Sequence, residues 1–172
     1  MSARFEEVQW LLIDIIGDLL APNQVFVERG DGEIANHELY MPINRMCLTQ
    51  IIICLCKFDE IYRHYHSEFN LLPHDLLTKV KGIKQEIEKR NVYSFRSTYI
   101  GHAFKKEAGK QSLMTADEIE KGFNKVLSND QVAFYDWIFP LDEMDRNGTS
   151  VVEVLNEAMQ FFRTEYSLKP RL

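Results

Sequence analysis

The stretch from Ile43 to about Phe69 constrains the fold most, because its apolar residues recur at helical spacing along its whole length. The apolar stripe comprises Cys47, Ile51, Cys54, Leu55, Phe58, Ile61, Tyr62, Tyr65 and Phe69. Its first three turns are apolar almost all round, so a helix formed here needs neighbours on more than one side. The sequence therefore predicts a central helix surrounded by others.

Helical periodicity also runs through most of the remaining chain, in residues 4–20, 73–108, 115–127, 128–139 and 149–167. The first of these helices is expected to end at Ala21-Pro22-Asn23, because proline rarely continues a helix. The next stretch is irregular, and Val25-Phe26-Val27 followed by Gly30-Asp31-Gly32 indicates a short hairpin or an ordered loop. We predict an all-α antiparallel bundle of six or seven helices, with at most a short hairpin near residues 22–42.

The bulk properties favour a single domain over residues 1–172, since this length is enough to bury one core and no linker divides the chain. No apolar run reaches the roughly 18 residues of a membrane span. Glu6 and Glu7 stand where a signal peptide would carry basic residues. Three cysteines crowded into residues 47–56 do not suit a disulfide framework, so we expect a cytoplasmic protein.

The most basic part of this acidic chain runs from Lys79 to Lys110. It holds nine Lys or Arg against three Glu, whereas the whole chain has a net charge of −6. Such asymmetry indicates a partner with phosphates, although a solvated lysine face would give the same pattern. Arg96 and His102 lie within it; histidine moves a proton near neutral pH, and arginine matches the oxygens of a phosphate. Together they suit chemistry on a phosphodiester without a metal.

Arg96 occupies an unusual place on a helical projection of residues 92–106. It falls inside an apolar arc formed by Val92, Tyr93, Tyr99, Ile100, Ala103 and Phe104. A guanidinium that faces a core needs a carboxylate, a phosphate or an open subunit boundary. A structural arginine–carboxylate pair is therefore the alternative to a catalytic role. This arc and the aromatic residues of 134–139 also favour a homodimer.

The phrase YSFRSTYIGHAF at residues 93–104 resembles the motif of the HEPN superfamily, and it is similar to prokaryotic members tied to abortive infection. The resemblance implies a small helical bundle, a homodimer and, in active members, a metal-independent endoribonuclease. It assigns Arg96 and His102 to the positions of the catalytic arginine and histidine. Active members commonly have Asn, Asp or His directly after the arginine, and Ser97 departs from this pattern. The departure favours a non-catalytic alternative, a helical dimer that binds a nucleotide, RNA or a partner protein.

On the ribonuclease interpretation, the polar residues near Arg96 would orient the phosphate and the following lysines would hold the RNA backbone. These candidate substrate-binding residues are Tyr93, Ser97, Tyr99, Lys105, Lys106 and Lys110. RNA is then the expected partner, with an antitoxin-type protein as a further one and no membrane. The resemblance also suggests a toxin or a phage-defence effector.

A magnesium-dependent nucleotide pyrophosphohydrolase is a second enzyme class, because such enzymes hold their metal on four carboxylates. The nearest matching set is Asp117, Glu120, Asp142 and Asp145. The first two fall in a capping box and the last two in a turn after Pro140, which is not the required helical context. We therefore predict no metal site and no cofactor.

Overall fold

A computed structural model describes residues 2–29, 38, 40–100, 104–107 and 110–170, which contain eight α-helices. The helices are α1 (Ser2–Arg29), α2 (Tyr40–His64), α3 (His66–Phe69), α4 (His74–Lys89), α5 (Val92–Phe95), α6 (Ala116–Leu127), α7 (Gln131–Ile138) and α8 (Val151–Glu165). The other elements are a π-helical segment (Arg96–Ile100), strands β1 (Phe104–Glu107) and β2 (Lys110–Leu113), and a 3-10 turn (Glu143–Asp145). The predicted all-α bundle is confirmed. Within the described residues, no helix combines the length and the apolar character needed to cross a bilayer.

α2 is the central helix, as the sequence predicted, because α1, α4 and α5 all pack against it. Its buried side chains cover more than half of the helix circumference, and Lys57, Glu60 and His64 lie on the exposed side. The buried apolar residues are Cys47, Leu48, Ile51, Ile52, Cys54, Leu55, Cys56, Phe58, Ile61 and Tyr62. Tyr65 interrupts the predicted 43–69 helix, so that α3 follows as a separate single turn. The single turns α3 and α5 raise the number of described helices above the predicted six or seven.

α1 runs antiparallel to α2. Arg4 near the start of α1 reaches Glu68, beyond the end of α2, whereas Asp18 lies 3.4 Å from Lys57 in the middle of α2. α1 also packs against α8. Of the six apolar residues at helical spacing in α1, Ile16 is partly buried and the other five are buried: Phe5, Val8, Leu12, Ile15 and Leu19.

α1 continues through Pro22 to Arg29, so the prediction of a helix end at this proline is wrong. Proline removes one helical hydrogen bond and usually kinks or ends a helix. Here contacts with α7 stabilise the continuation, because the buried Asn23 amide donates to the backbone carbonyls of Tyr135 (3.1 Å) and Phe139 (2.9 Å). Tertiary hydrogen bonds therefore override the local tendency of proline.

β1 and β2 form a hairpin at residues 104–113. In the region where the sequence indicated a hairpin or an ordered loop, residues 22–29 and 40–42 are helical, and Gly30-Asp31-Gly32 lies outside the described residues. β1 and β2 are antiparallel, with Phe104 opposite Leu113. The predicted helix through residue 104 fails because no large apolar residue stands between these two. A helix over this stretch would have no face to bury, whereas strand pairing satisfies the backbone groups locally.

The helix termini follow the sequence signals closely. Asn91 adopts a left-handed conformation (φ 59°) and separates α4 from α5. The capping box at Thr115 is confirmed, since Thr115 accepts from the Glu118 backbone and Glu118 accepts from the Thr115 backbone. Ser150 and Glu153 form an equivalent box at the start of α8. These reciprocal bonds satisfy backbone donors that the first helical turn leaves free.

The aromatic segment at residues 134–139 packs inside the chain. Phe134 and Ile138 are fully buried. The Arg90 guanidinium closes this cluster, because it donates to the Val126 carbonyl at 2.7 Å and lies 5.4 Å from the centre of the Phe134 ring. The segment is therefore part of the monomer core, and its aromatic content no longer argues for a dimer surface.

Candidate functional site

Arg96 opens the π-helical segment that directly follows α5. Such i→i+5 turns are rare in proteins and are frequent at functional sites. The preceding turn is firmly anchored, because Val92 and Phe95 are both buried in the core. Arg96 thus stands at the surface on a well-fixed backbone, with 43% of its side chain exposed.

Arg96 has a carboxylate partner, Glu60 on α2. Its Nη1 lies 3.4 Å from Glu60 Oε1, and the two side chains are 43% and 58% exposed. The predicted apolar arc around Arg96 is not formed, because Phe104 belongs to β1 and not to the same helix. The pair is therefore a surface ion pair, of the kind that contributes only about 0–1 kcal/mol.

Next to Glu60 lies a buried ionic cluster centred on Asp59, which the sequence analysis missed. The Asp59 side chain has no exposed area. It pairs with Arg63, one turn further along α2, and Lys84 Nζ of α4 lies 4.0 Å from Asp59 Oδ1. Two cations facing one carboxylate compensate for its loss of hydration. The sequence did contain a signal for the Asp59–Arg63 pair, because the two residues have the i,i+4 spacing of a helical ion pair.

Tyr93 belongs to this cluster. Its hydroxyl donates to the Cys56 carbonyl at 3.0 Å, and the Arg63 guanidinium lies 5.3 Å from the centre of its ring. Burial, together with the negative charge of Asp59, raises the pKa of Tyr93 well above its usual value, so the hydroxyl remains protonated. Tyr93 therefore links α5 to α2, and its hydroxyl is committed to a backbone carbonyl.

Ser97 and Tyr99 have separate surroundings. The Ser97 hydroxyl donates to the Ser94 carbonyl at 3.0 Å, a bond within its own turn. Tyr99 packs against Phe123, with ring centroids 5.5 Å apart, and lines a cavity on another side of the segment. The structure therefore does not gather the three candidate phosphate-orienting residues around the Arg96 guanidinium.

The basic hairpin lies beside the segment that begins at Arg96. Lys105 and Lys106 lie in β1 and Lys110 lies in β2, and β1 contacts the π-helical segment. His102 lies outside the described residues. The fold thus brings the backbone of the candidate lysines close to the Arg96 segment.

The three cysteines are buried free thiols, as the sequence predicted. Burial raises the pKa of both Cys54 and Cys56 to about 11. The charge of Arg96 lowers the pKa of Cys56, but the effect of burial is larger. These side chains are protonated at neutral pH and are poor nucleophiles.

The four carboxylates considered for a magnesium site lie on two exposed turns. Asp117 and Glu120 are in the first turns of α6, whereas Asp142 precedes the 3-10 turn that contains Asp145. In the part of the chain that the structure describes, no group of three or more His, Cys, Asp or Glu could hold a metal ion.

Comparison with known proteins identifies a fold relative. No protein-family model matches the chain, and no curated protein matches it. Among solved structures, the integron cassette protein Vpc_cass2, from the mobile metagenome of V. paracholerae, is similar to it, with a TM-score of 0.74 and 21% sequence identity. The likeness covers 94% of this chain and 97% of that one. At this identity it establishes a common helical fold over almost the whole length of both chains.

Proposed function

We propose that this protein is a cytoplasmic, metal-independent endoribonuclease of HEPN type. The observation that carries the proposal is the environment of Arg96, whose guanidinium is partly exposed and whose described carboxylate partner is the exposed Glu60 at 3.4 Å. Because such an ion pair is weak, a phosphate that forms charge-assisted hydrogen bonds can displace the glutamate. The resemblance of residues 93–104 to the HEPN motif supplies the reaction class.

In the proposed reaction the RNA provides its own nucleophile. His102 takes the proton from a ribose 2′-OH or donates one to the leaving 5′-oxygen. The 2′-oxygen attacks phosphorus and the bond to the 5′-oxygen breaks, which leaves a 2′,3′-cyclic phosphate and a 5′-hydroxyl. Arg96 stabilises the negative charge that develops on the phosphoryl oxygens. These steps use only the two side chains and the 2′-OH, so DNA is not a substrate.

The lysines of the hairpin would hold the RNA backbone. The proximity of β1 to the π-helical segment supports this role for Lys105, Lys106 and Lys110. Phosphate contacts of this kind release counterions, so RNA affinity should fall steeply as salt is raised.

A non-catalytic HEPN-like module is the second candidate, and Ser97 favours it. Its hydroxyl is bonded to the Ser94 carbonyl, where active members commonly carry a different polar residue. In this case Arg96 would bind a nucleotide, RNA or a partner protein without cutting. A homodimer, an antitoxin-type partner and a role as a toxin or phage-defence effector rest on the resemblance for both candidates.

Incubation of the purified protein with single-stranded RNA in EDTA tests the proposal. We expect cleavage that leaves 2′,3′-cyclic phosphate ends. A matched RNA with a 2′-O-methyl group at the cleaved position, and DNA of the same sequence, should remain intact. Binding without cleavage, lost in Arg96→Ala, supports the non-catalytic module. A protein that neither binds nor cuts any RNA contradicts both candidates.

A further inference from the structure

A cavity of about 460 Å³ opens between α2, the π-helical segment, α6 and α7. Its volume lies within the roughly 300–1,000 Å³ that is typical of small-molecule sites. Its apolar wall consists of Leu48, Tyr99, Phe123 and Leu127, and its polar groups belong to Asn44, Arg45 and Gln131. Apolar and aromatic walls with a few polar groups are the usual composition of a ligand pocket.

The aromatic wall is held in place from behind. Phe95 packs against both Tyr99 and Phe123, with ring centroids 5.0 and 4.8 Å apart. Gly122 permits this packing, because a Cβ at that position would lie 2.8 Å from the Phe95 ring. The wall therefore offers two supported aromatic rings to a planar ligand.

The polar groups suit the edge and the phosphate of a nucleotide. Gln131 Nε2 donates to Asn44 Oδ1 at 2.8 Å, which ties α7 to α2. This bond leaves the Gln131 carbonyl as an acceptor beside the Asn44 amide as a donor, a pattern complementary to the edge of a nucleobase. Arg45 is exposed and, among the residues described, has no carboxylate partner. Its guanidinium is thus available to a phosphate.

We propose that this cavity binds one nucleotide, with the base against Tyr99 and Phe123, its edge at the Asn44–Gln131 pair and the phosphate on Arg45. The cavity lies apart from the proposed cleavage centre, because Arg45 precedes Glu60, the partner of Arg96, by 15 residues of α2, which is about 22 Å along the helix axis. The inference rests on the proposed function for the identity of the ligand as part of an RNA. The cavity then holds the base of a more distant nucleotide of the same RNA and not the base that adjoins the cleaved phosphate.

Calorimetric titration of the full chain with the four nucleoside 5′-monophosphates tests this assignment, with ribose 5-phosphate as the ligand that lacks a base. At least one nucleotide should bind saturably, and ribose 5-phosphate should bind at least about 10-fold more weakly, since base–aromatic stacking dominates the affinity. Tyr99→Leu and Phe123→Leu should each weaken nucleotide binding by about 5- to 150-fold. Phe161→Leu on α8, outside the cavity, is the matched control and should bind as the wild type does.

Arg45→Gln extends the test with a surface substitution that leaves the core intact, and Arg146→Gln is its control. Arg45→Gln should lose most of the affinity for nucleotide, whereas Arg146→Gln should keep it. The assignment is overturned if ribose 5-phosphate binds as tightly as the nucleotides. It is also overturned if folded Tyr99→Leu and Arg45→Gln variants bind nucleotide as the wild type does. RNA cleavage by a protein that binds no nucleotide overturns it while the proposed function stands. Aromatic-dependent nucleotide binding without cleavage supports the assignment and counts against the ribonuclease.

Discussion

The buried cluster at Asp59 predicts that two substitutions removing the same ion pair have unequal effects. Arg63→Met leaves the fully buried Asp59 carboxylate facing one cation, Lys84, at 4.0 Å. Asp59→Asn instead leaves Arg63, whose side chain is 58% exposed, and Lys84, which is 25% exposed. Cations that reach water remain hydrated, whereas a stranded buried carboxylate does not. We therefore expect Arg63→Met to be the more destabilising change.

The expected loss of folding free energy depends on how deeply the remaining charged groups are buried. Removing one partner of a fully buried pair costs about 3–5 kcal/mol of folding free energy. Lys84 stays in place and Arg63 is partly exposed, so we expect about 2–3 kcal/mol for Arg63→Met and about 1 kcal/mol for Asp59→Asn. For a chain of this length, 1 kcal/mol corresponds to roughly 2–4 °C in melting temperature. The expected decreases are thus about 4–12 °C and about 2–4 °C.

Thermal and urea unfolding at pH 7 measure this asymmetry. Arg146→Met is the matched control, because Arg146 pairs with the exposed Glu143 and lies 4.6 Å from the centre of the Phe139 ring. The loss of these two exposed contacts should cost no more than about 1 kcal/mol. The double variant Asp59→Asn/Arg63→Met should be more stable than Arg63→Met alone, since it no longer contains the stranded carboxylate. Two results would contradict this expectation: an Asp59→Asn variant that loses as much folding free energy as Arg63→Met or more, and a double variant less stable than Arg63→Met.

Two further predictions concern stability. Hydrogen bonds from Arg4 lower the pKa of Glu68 from 4.5 to about 2, so its stabilising effect is present above about pH 4.5 and is lost as the pH falls towards 2. Melting curves should therefore place Glu68→Gln below the wild type at pH 7 and close to it near pH 2; an equal gap at both pH values contradicts this. Gly122→Ala should lower the melting temperature, because its Cβ would lie 2.8 Å from the Phe95 ring and the clash outweighs the gain of about 1 kcal/mol in helix propensity. Adding Phe95→Leu should restore part of the lost melting temperature. A Gly122→Ala variant as stable as the wild type would contradict this prediction, because it would show that the Phe95 ring moves aside without cost.

Much of the fold could be predicted because burial repeats at helical spacing. The buried faces of α1, α4 and α8 carry the residues that the 3.6-residue period selects. The prediction failed at Pro22, where hydrogen bonds from Asn23 to α7 stabilise a helix that the local sequence does not favour. Those bonds join residues more than 100 positions apart, so no short window of sequence contains them.

The candidate site was only partly predictable. Arg96 and the basic hairpin could be singled out, since residue type and local charge are visible in the sequence. The partner Glu60 and the contacts of Asp59 and Arg63 with Lys84 and Tyr93 could not, because they depend on how α2, α4 and α5 pack together. The projection that placed Arg96 in an apolar arc assumed one continuous α-helix, and the chain instead forms a π-helical segment followed by a strand.

The cleavage rate of Arg96→Ala on single-stranded RNA in EDTA tests the proposed function most directly when its melting temperature is measured beside it. The ion pair with Glu60 is exposed, so the melting temperature should fall by no more than about 2–4 °C. We expect Arg96→Ala to reduce the cleavage rate on the order of 10²- to 10³-fold, because the developing phosphoryl charge loses its guanidinium. His102→Ala should lose on the order of 10²- to 10⁴-fold, and Arg146→Ala should cut as the wild type does. A folded Arg96→Ala variant that cuts RNA as fast as the wild type, or a wild-type protein that cuts no RNA, would contradict the proposed ribonuclease function.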